Sequence, residues 1–66
     1  MTLWLRTKAG ETRPLEKRAT VKLHKELRAG RGCAEVTALI EQGFAGYLGP
    51  DGNTWPLDEL KADHIF

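Results

Sequence analysis
Apolar and polar positions alternate at both ends of the chain and recur at helical spacing in the middle. Leu3-Trp4-Leu5-Arg6-Thr7 alternates and is rich in strand formers, which predicts a strand ending at the Ala9-Gly10 turn signal. Thr12 to Leu15 returns as its partner, with Pro14 marking an edge or the last strand residue because it cannot donate to a ladder. Ala45 to Leu48 predicts a further strand. Gly49-Pro50-Asp51-Gly52-Asn53 then forms a turn, since proline presets φ and glycine accepts φ above zero, and Thr54 to Leu57 returns.

The two hairpins share wording. Gly10-Glu11-Thr12-Arg13-Pro14-Leu15-Glu16 aligns with Gly52-Asn53-Thr54-Trp55-Pro56-Leu57-Asp58 at an offset of 42 residues, with four identities in seven positions. Each is a turn glycine, a returning strand, a proline that stops it and a leucine placed for the core.

Two helices are expected between the hairpins. Leu15, Ala19, Leu23 and Leu27 form one stripe from Pro14 to Ala29, leaving Lys17, Arg18, Lys22, Lys25 and Arg28 for the other faces. Ala19-Thr20-Val21-Lys22-Leu23 also alternates, so residues 19–23 could instead extend the second strand. Gly30-Arg31-Gly32 stops this element. Ala34 to Gln42 presents Val36, Leu39 and Ile40 on one face and closes at Gly43, a second short helix with Phe44 packing after it. The tail from Leu57 reads as one or two helical turns, a short C-terminal helix with Asp58 as cap, Leu60 facing in, and Ile65 and Phe66 docked on the core. The expected fold is α+β, a single domain over residues 1–66.

Composition changes this picture little. Sixty-six residues, 41% hydrophobic and 29% charged, suit a folded domain with a thin core. Cys33 is the only cysteine, so no disulfide can form within the chain, which favours a reducing compartment and sets the cytoplasm as the expected location. No apolar run approaches the roughly 20 residues that a membrane span needs.

Charge changes it more. Residues 1–33 carry nine lysines and arginines against three glutamates, a net +6, whereas residues 34–66 carry Lys61 against six carboxylates, a net −5. Either the halves attract each other within the fold, or a basic face serves polyanions and an acidic face lies elsewhere.

Catalytic and metal-binding patterns are sparse. His24, Cys33 and His64 are the soft metal ligands, and none belongs to a paired motif. Cys33 reads as a small packing residue, the carboxylates Asp58, Glu59, Glu35 and Glu41 as solvated, and Gly30-Arg31-Gly32 as a helix stop lacking the remainder of a phosphate loop. No catalytic residue, metal or cofactor is expected, and the chain is not expected to be an enzyme. Trp4, Tyr47 and Trp55 would make a stacking platform for bases if they point outward, although in so small a core at least two are expected to fill space.

Val36 to Tyr47, followed by Gly52, Trp55, Leu57 and Leu60, resembles the C-terminal part of excisionase-type and MerR-type winged-helix DNA-binding domains. The resemblance covers about half the chain. It implies that residues 34–42 enter a major groove and that residues 49–53 act as the wing. This helix and wing depart from the family in offering Glu35, Glu41 and Asp51 where arginines and lysines meet phosphates, so Lys22, Lys25, Arg28 and Arg31 must supply the attraction, with Thr37 and Asn53 as polar contacts. Leu5-Arg6 with Glu11 to Ala19 also resembles the start of saccharopine dehydrogenases, whose domains this chain has no room for.

Two functions follow as expectations. One is a small regulatory protein that binds duplex DNA through its basic helix and wing-like hairpin. The other is an adaptor or inhibitor of the phage or mobile-element type, binding a host protein through its acidic half and hairpin edges. A homodimer pairing basic with acidic halves is a third arrangement.

Overall fold
A computed structural model describes residues 1–65 of the chain. Two hairpins, β1 (Trp4–Thr7) with β2 (Thr12–Pro14) and β3 (Phe44–Leu48) with β4 (Thr54–Pro56), flank two helices, α1 (Lys17–Arg28) and α2 (Cys33–Glu41). Two 3-10 turns, Leu57–Glu59 and Ala62–His64, follow β4. The α+β class and the element order match the sequence expectation. The short C-terminal helix does not form as an α-helix, because Leu60 and Lys61 are extended between the two turns.

The hairpins join in one antiparallel sheet of order β2-β1-β3-β4. Leu5 faces Tyr47 and Arg6 faces Gly46 across the central pair, with a register shift between Arg6 and Thr7. The 42-residue offset holds in three dimensions. Trp4↔Pro14, Leu5↔Arg13 and Arg6↔Thr12 correspond one for one to Gly46↔Pro56, Tyr47↔Trp55 and Leu48↔Thr54. Both turns close with the same bonds, Thr7 N–H to Glu11 O and Gly49 N–H to Asn53 O, each 2.8 Å. Gly10 at φ 89° and Gly52 at φ 82° supply the left-handed residue. A pseudo-twofold axis therefore passes through the Leu5–Tyr47 pair.

Strand parity sends Leu3, Leu5 and Tyr47 to the inner face, where they form one core with Leu23, Leu39, Leu57, Leu60 and Ile65. Trp55 and Phe44 pack against this core from partly buried positions. Phe66, expected to dock beside Ile65, lies outside the described residues.

Residues 19–23 are helical, and the expected stripe holds at Leu23, with Leu15 and Leu27 packed against the core, but not at Ala19. Ala19 is exposed, and Thr20 turns inward above Leu23. The Thr20 hydroxyl donates to Glu16 O at 2.9 Å, so its burial leaves no polar atom unpaired. The helix ends in a full Schellman arrangement: Gly30 N–H bonds Leu27 O, Arg31 N–H bonds Glu26 O, and Gly30 sits at φ 76°. On α2, Leu39 is buried, Val36 is half-buried and Ile40, expected to face in with them, is 40% exposed. Asp58 lies inside the first 3-10 turn and makes no cap hydrogen bond, because Pro56 takes the capping position. No helix of the described residues is long and apolar enough to cross a membrane.

Candidate nucleic-acid interface
Once Thr20, Leu23 and Leu27 are turned to the core, helical geometry fixes what faces away. At about 100° per residue, Lys17, Arg28, Val21, Lys25, Arg18 and Lys22 follow one another around a single arc of about 140° on the opposite side. The arc runs about 16 Å along the axis. Val21 lies within this arc between Arg28 and Lys25, 49% exposed. Because it is shorter than its neighbours, it floors a shallow depression of about 570 Å³ ringed by Lys17, Arg18, Lys22 and Lys25.

Ion pairs decide which of these cations are free. Lys22 Nζ lies 3.4 Å from Glu35 Oε1 on α2. Among the described residues, Lys17, Arg18, Lys25 and Arg28 have no carboxylate within ion-pair distance. Lys25 and Arg28 also occupy the last turn, where positive charge complements the helix dipole.

The other expected contacts lie elsewhere. Arg31 sits beyond the helix end, its Nε 3.1 Å and its Nη2 3.4 Å from the two Glu26 carboxylate oxygens. The hydrogen bond from Arg31 holds the Glu26 carboxyl below the usual range. Thr37 lies on α2 and donates its hydroxyl to Cys33 O at 2.9 Å. Asn53 is tied into its own turn, its backbone N–H and its Nδ2 both donating to the Asp51 carboxylate.

The wing-like turn is negative and internally satisfied. Trp55 Nε1 donates to Asp51 Oδ1 at 3.1 Å, and this bond first, with those from Asn53, lowers the Asp51 carboxyl from its ordinary value. Trp55 in turn meets the His64 ring edge-on at 5.0 Å between centroids. His64 Nδ1 lies 2.6 Å from the Tyr47 hydroxyl, which also donates to Glu59 O at 3.2 Å. These bonds brace the second hairpin against the C-terminal turns.

Of the six expected contact residues, the structure brings Lys22, Lys25 and Arg28 onto one face and leaves Arg31, Thr37 and Asn53 off it. Lys17 and Arg18 belong to that face and were missing from the expected set. Their signal was the same spacing that marks the buried stripe, read half a turn away. The helix expected to enter a groove, α2, carries no lysine or arginine between Cys33 and Glu41.

Beside α2, Leu27, Cys33, Val36, Ile40, Asp58 and Leu60 line an apolar cleft of about 360 Å³. Among the described residues, no group of three His, Cys, Asp or Glu side chains gathers as a metal site would.

Of the three aromatic candidates for stacking, Tyr47 is fully buried, Trp55 is half-buried, and Trp4 stands 46% exposed on the sheet's outer face. Comparison with protein-family models, with curated proteins and with solved structures finds no match for this chain.

Proposed function
We propose that this chain is a non-enzymatic regulatory protein that binds duplex nucleic acid through the solvent face of α1. The observation that carries the reading is the set of four cations, Lys17, Arg18, Lys25 and Arg28, that share one helical arc with no carboxylate partner among the described residues. Long flexible cations at this spacing suit phosphates. The face has no Asn, Gln, Ser or Thr, so any base-edge readout would rest on Arg18 and Arg28 at guanines, while contacts to phosphate supply most of the expected affinity. The winged-helix likeness contributes the partner class here, while the contact surface moves from α2 and the wing to α1. The cytoplasm suits an exposed free thiol such as Cys33.

The test is a salt titration of binding to a short DNA duplex. Four phosphate contacts give a log–log slope of about −3.6, and the Lys25→Gln/Arg28→Gln variant should reduce its magnitude by about 2. Binding that is absent at low salt, or that keeps its slope in this variant, would rule the reading out.

A second reading, a protein partner, is favoured by the apolar cleft beside α2 with Asp58 at its rim. The hairpin edges suit that role less, since β2 and β4 are three residues long and each ends in proline. A basic amphipathic peptide that perturbs the amide signals of Val36 and Ile40, with none of α1 responding to DNA, would favour this second reading.

A further inference from the structure
The sheet has a second face, and the helices leave it open. Parity puts Trp4 and Arg6 of β1 outside, with Thr12 and Pro14 on β2, Gly46 and Leu48 on β3, and Thr54 and Pro56 on β4. An indole 46% exposed on a central strand is a large apolar surface to leave in water. Two residues further along, the Arg6 guanidinium is held across the strands by Nη1 donating to Thr12 Oγ1 at 3.0 Å. Beside it, Gly46 brings no side chain, and Arg6, Lys8, Thr54 and Pro56 border a shallow depression of about 270 Å³. Arg6 is the only charged residue among the paired positions of this face, and Lys8 adds a second cation at its rim.

The geometry points to this face as a binding site for unpaired nucleotides of a single-stranded nucleic acid, one base stacking on the Trp4 indole and the adjoining phosphate meeting Arg6 and Lys8. An aromatic plane beside cations, with hydrogen-bond readout playing little part, is the chemistry by which single strands are held. A peptide adding as a strand is disfavoured by the proline-ended edges. A second copy of the chain is disfavoured by size. Four strands about 4.8 Å apart and about 15 Å long present about 300 Å², well under the ~800 Å² per partner of a stable interface. The site does not rest on α1, whose buried residues lie against the inner face.

The experiment titrates the full chain with a short oligothymidylate, following tryptophan fluorescence and the anisotropy of the labelled strand. Wild type should show quenching and loss of acrylamide access to its exposed tryptophan. Trp4→Leu, which keeps the face apolar and removes the aromatic plane, should bind at least about tenfold more weakly. Arg6→Gln should weaken binding less, and Lys25→Gln/Arg28→Gln should leave the quenching in place even if duplex binding is lost. Quenching that survives in Trp4→Leu, or vanishes only in the α1 variant, would overturn the proposal. So would protection of the exposed indole by a proline-rich peptide and not by the oligonucleotide. The acrylamide measurement uses wild type alone, so a variant that fails to fold leaves the test intact.

Discussion

At Gly46 the main chain of β4 approaches β3 so closely that a Cβ would sit 2.5 Å from Trp55 O and 3.2 Å from Thr54 Cγ2. The nearer neighbour is main chain and cannot swing aside, so the strand pair must spread. Gly46→Ala should cost about 1–3 kcal/mol, read as a lower urea midpoint at unchanged m-value. Among the cations the decisive property is prior engagement. Arg31 already meets both oxygens of Glu26, whereas Arg28 meets no carboxylate among the described residues. Arg28→Gln should therefore lower duplex affinity severalfold at low salt, and Arg31→Gln should leave it nearly unchanged, both read by anisotropy titration. The sequence made both arginines equal candidates. What separates them is that Arg31 returns past the Schellman turn onto the residue whose carbonyl its own N–H has bonded, a coincidence of backbone path that linear spacing does not display.

The elements were legible where local chemistry alone decides. Both turns, both stop prolines and both helix-ending glycines stand where their backbone preferences put them. The Thr20 stripe was not legible, because Ala19 and Thr20 compete for the core position. The threonine can take it without an unpaired hydroxyl because that group donates to the carbonyl of the N-cap residue Glu16. The joining of hairpins was not legible either, since pairing between residues 42 apart depends on loop closure over both helices. The repeated wording nevertheless carries a consequence for energetics. Gly10 and Gly52 have matching φ, matching turn bonds and open space around the missing Cβ. Gly10→Ala and Gly52→Ala should therefore cost nearly equal amounts, about 1–2 kcal/mol each from the left-handed conformation alone. The antiparallel β1–β3 pairing carries the turns to opposite ends of the sheet, so the double variant should be close to additive in denaturant unfolding. Unequal costs would mean that the two hairpins are alike in sequence and in register but not in strain.

At the scale of the molecule, ion pairs do little to join the two oppositely charged halves. Of the three ion pairs among the described residues only Lys22–Glu35 joins one half to the other, and it is exposed enough to contribute at most about 1 kcal/mol. Stability against pH is therefore governed less by attraction between halves than by the few groups with local partners. Asp51 and Glu26 are held below their ordinary values, by the Trp55 indole N–H and by Arg31 respectively. A lowered carboxyl binds its proton more weakly folded than unfolded, so its contribution is complete above about pH 4 and is lost as pH falls through the folded value. Tyr47 is displaced the other way, chiefly because burial disfavours the phenolate, with Glu59 and Asp51 adding to the effect. Its contribution is complete below about pH 10 and is lost as pH rises through the folded value. A stability plateau between these limits follows, and two substitutions separate its ends. Asp51→Asn should lower the urea midpoint at neutral pH, with the gap to wild type closing as pH drops below about 4. Tyr47→Phe removes the hydroxyl shared by Glu59 O and His64 Nδ1 and should cost about 1–2 kcal/mol at neutral pH. Its gap should close only above about pH 10. A Tyr47→Phe gap that closes in acid, or an Asp51→Asn gap that persists there, would show that the brace between the second hairpin and the C-terminal turns is held by other groups.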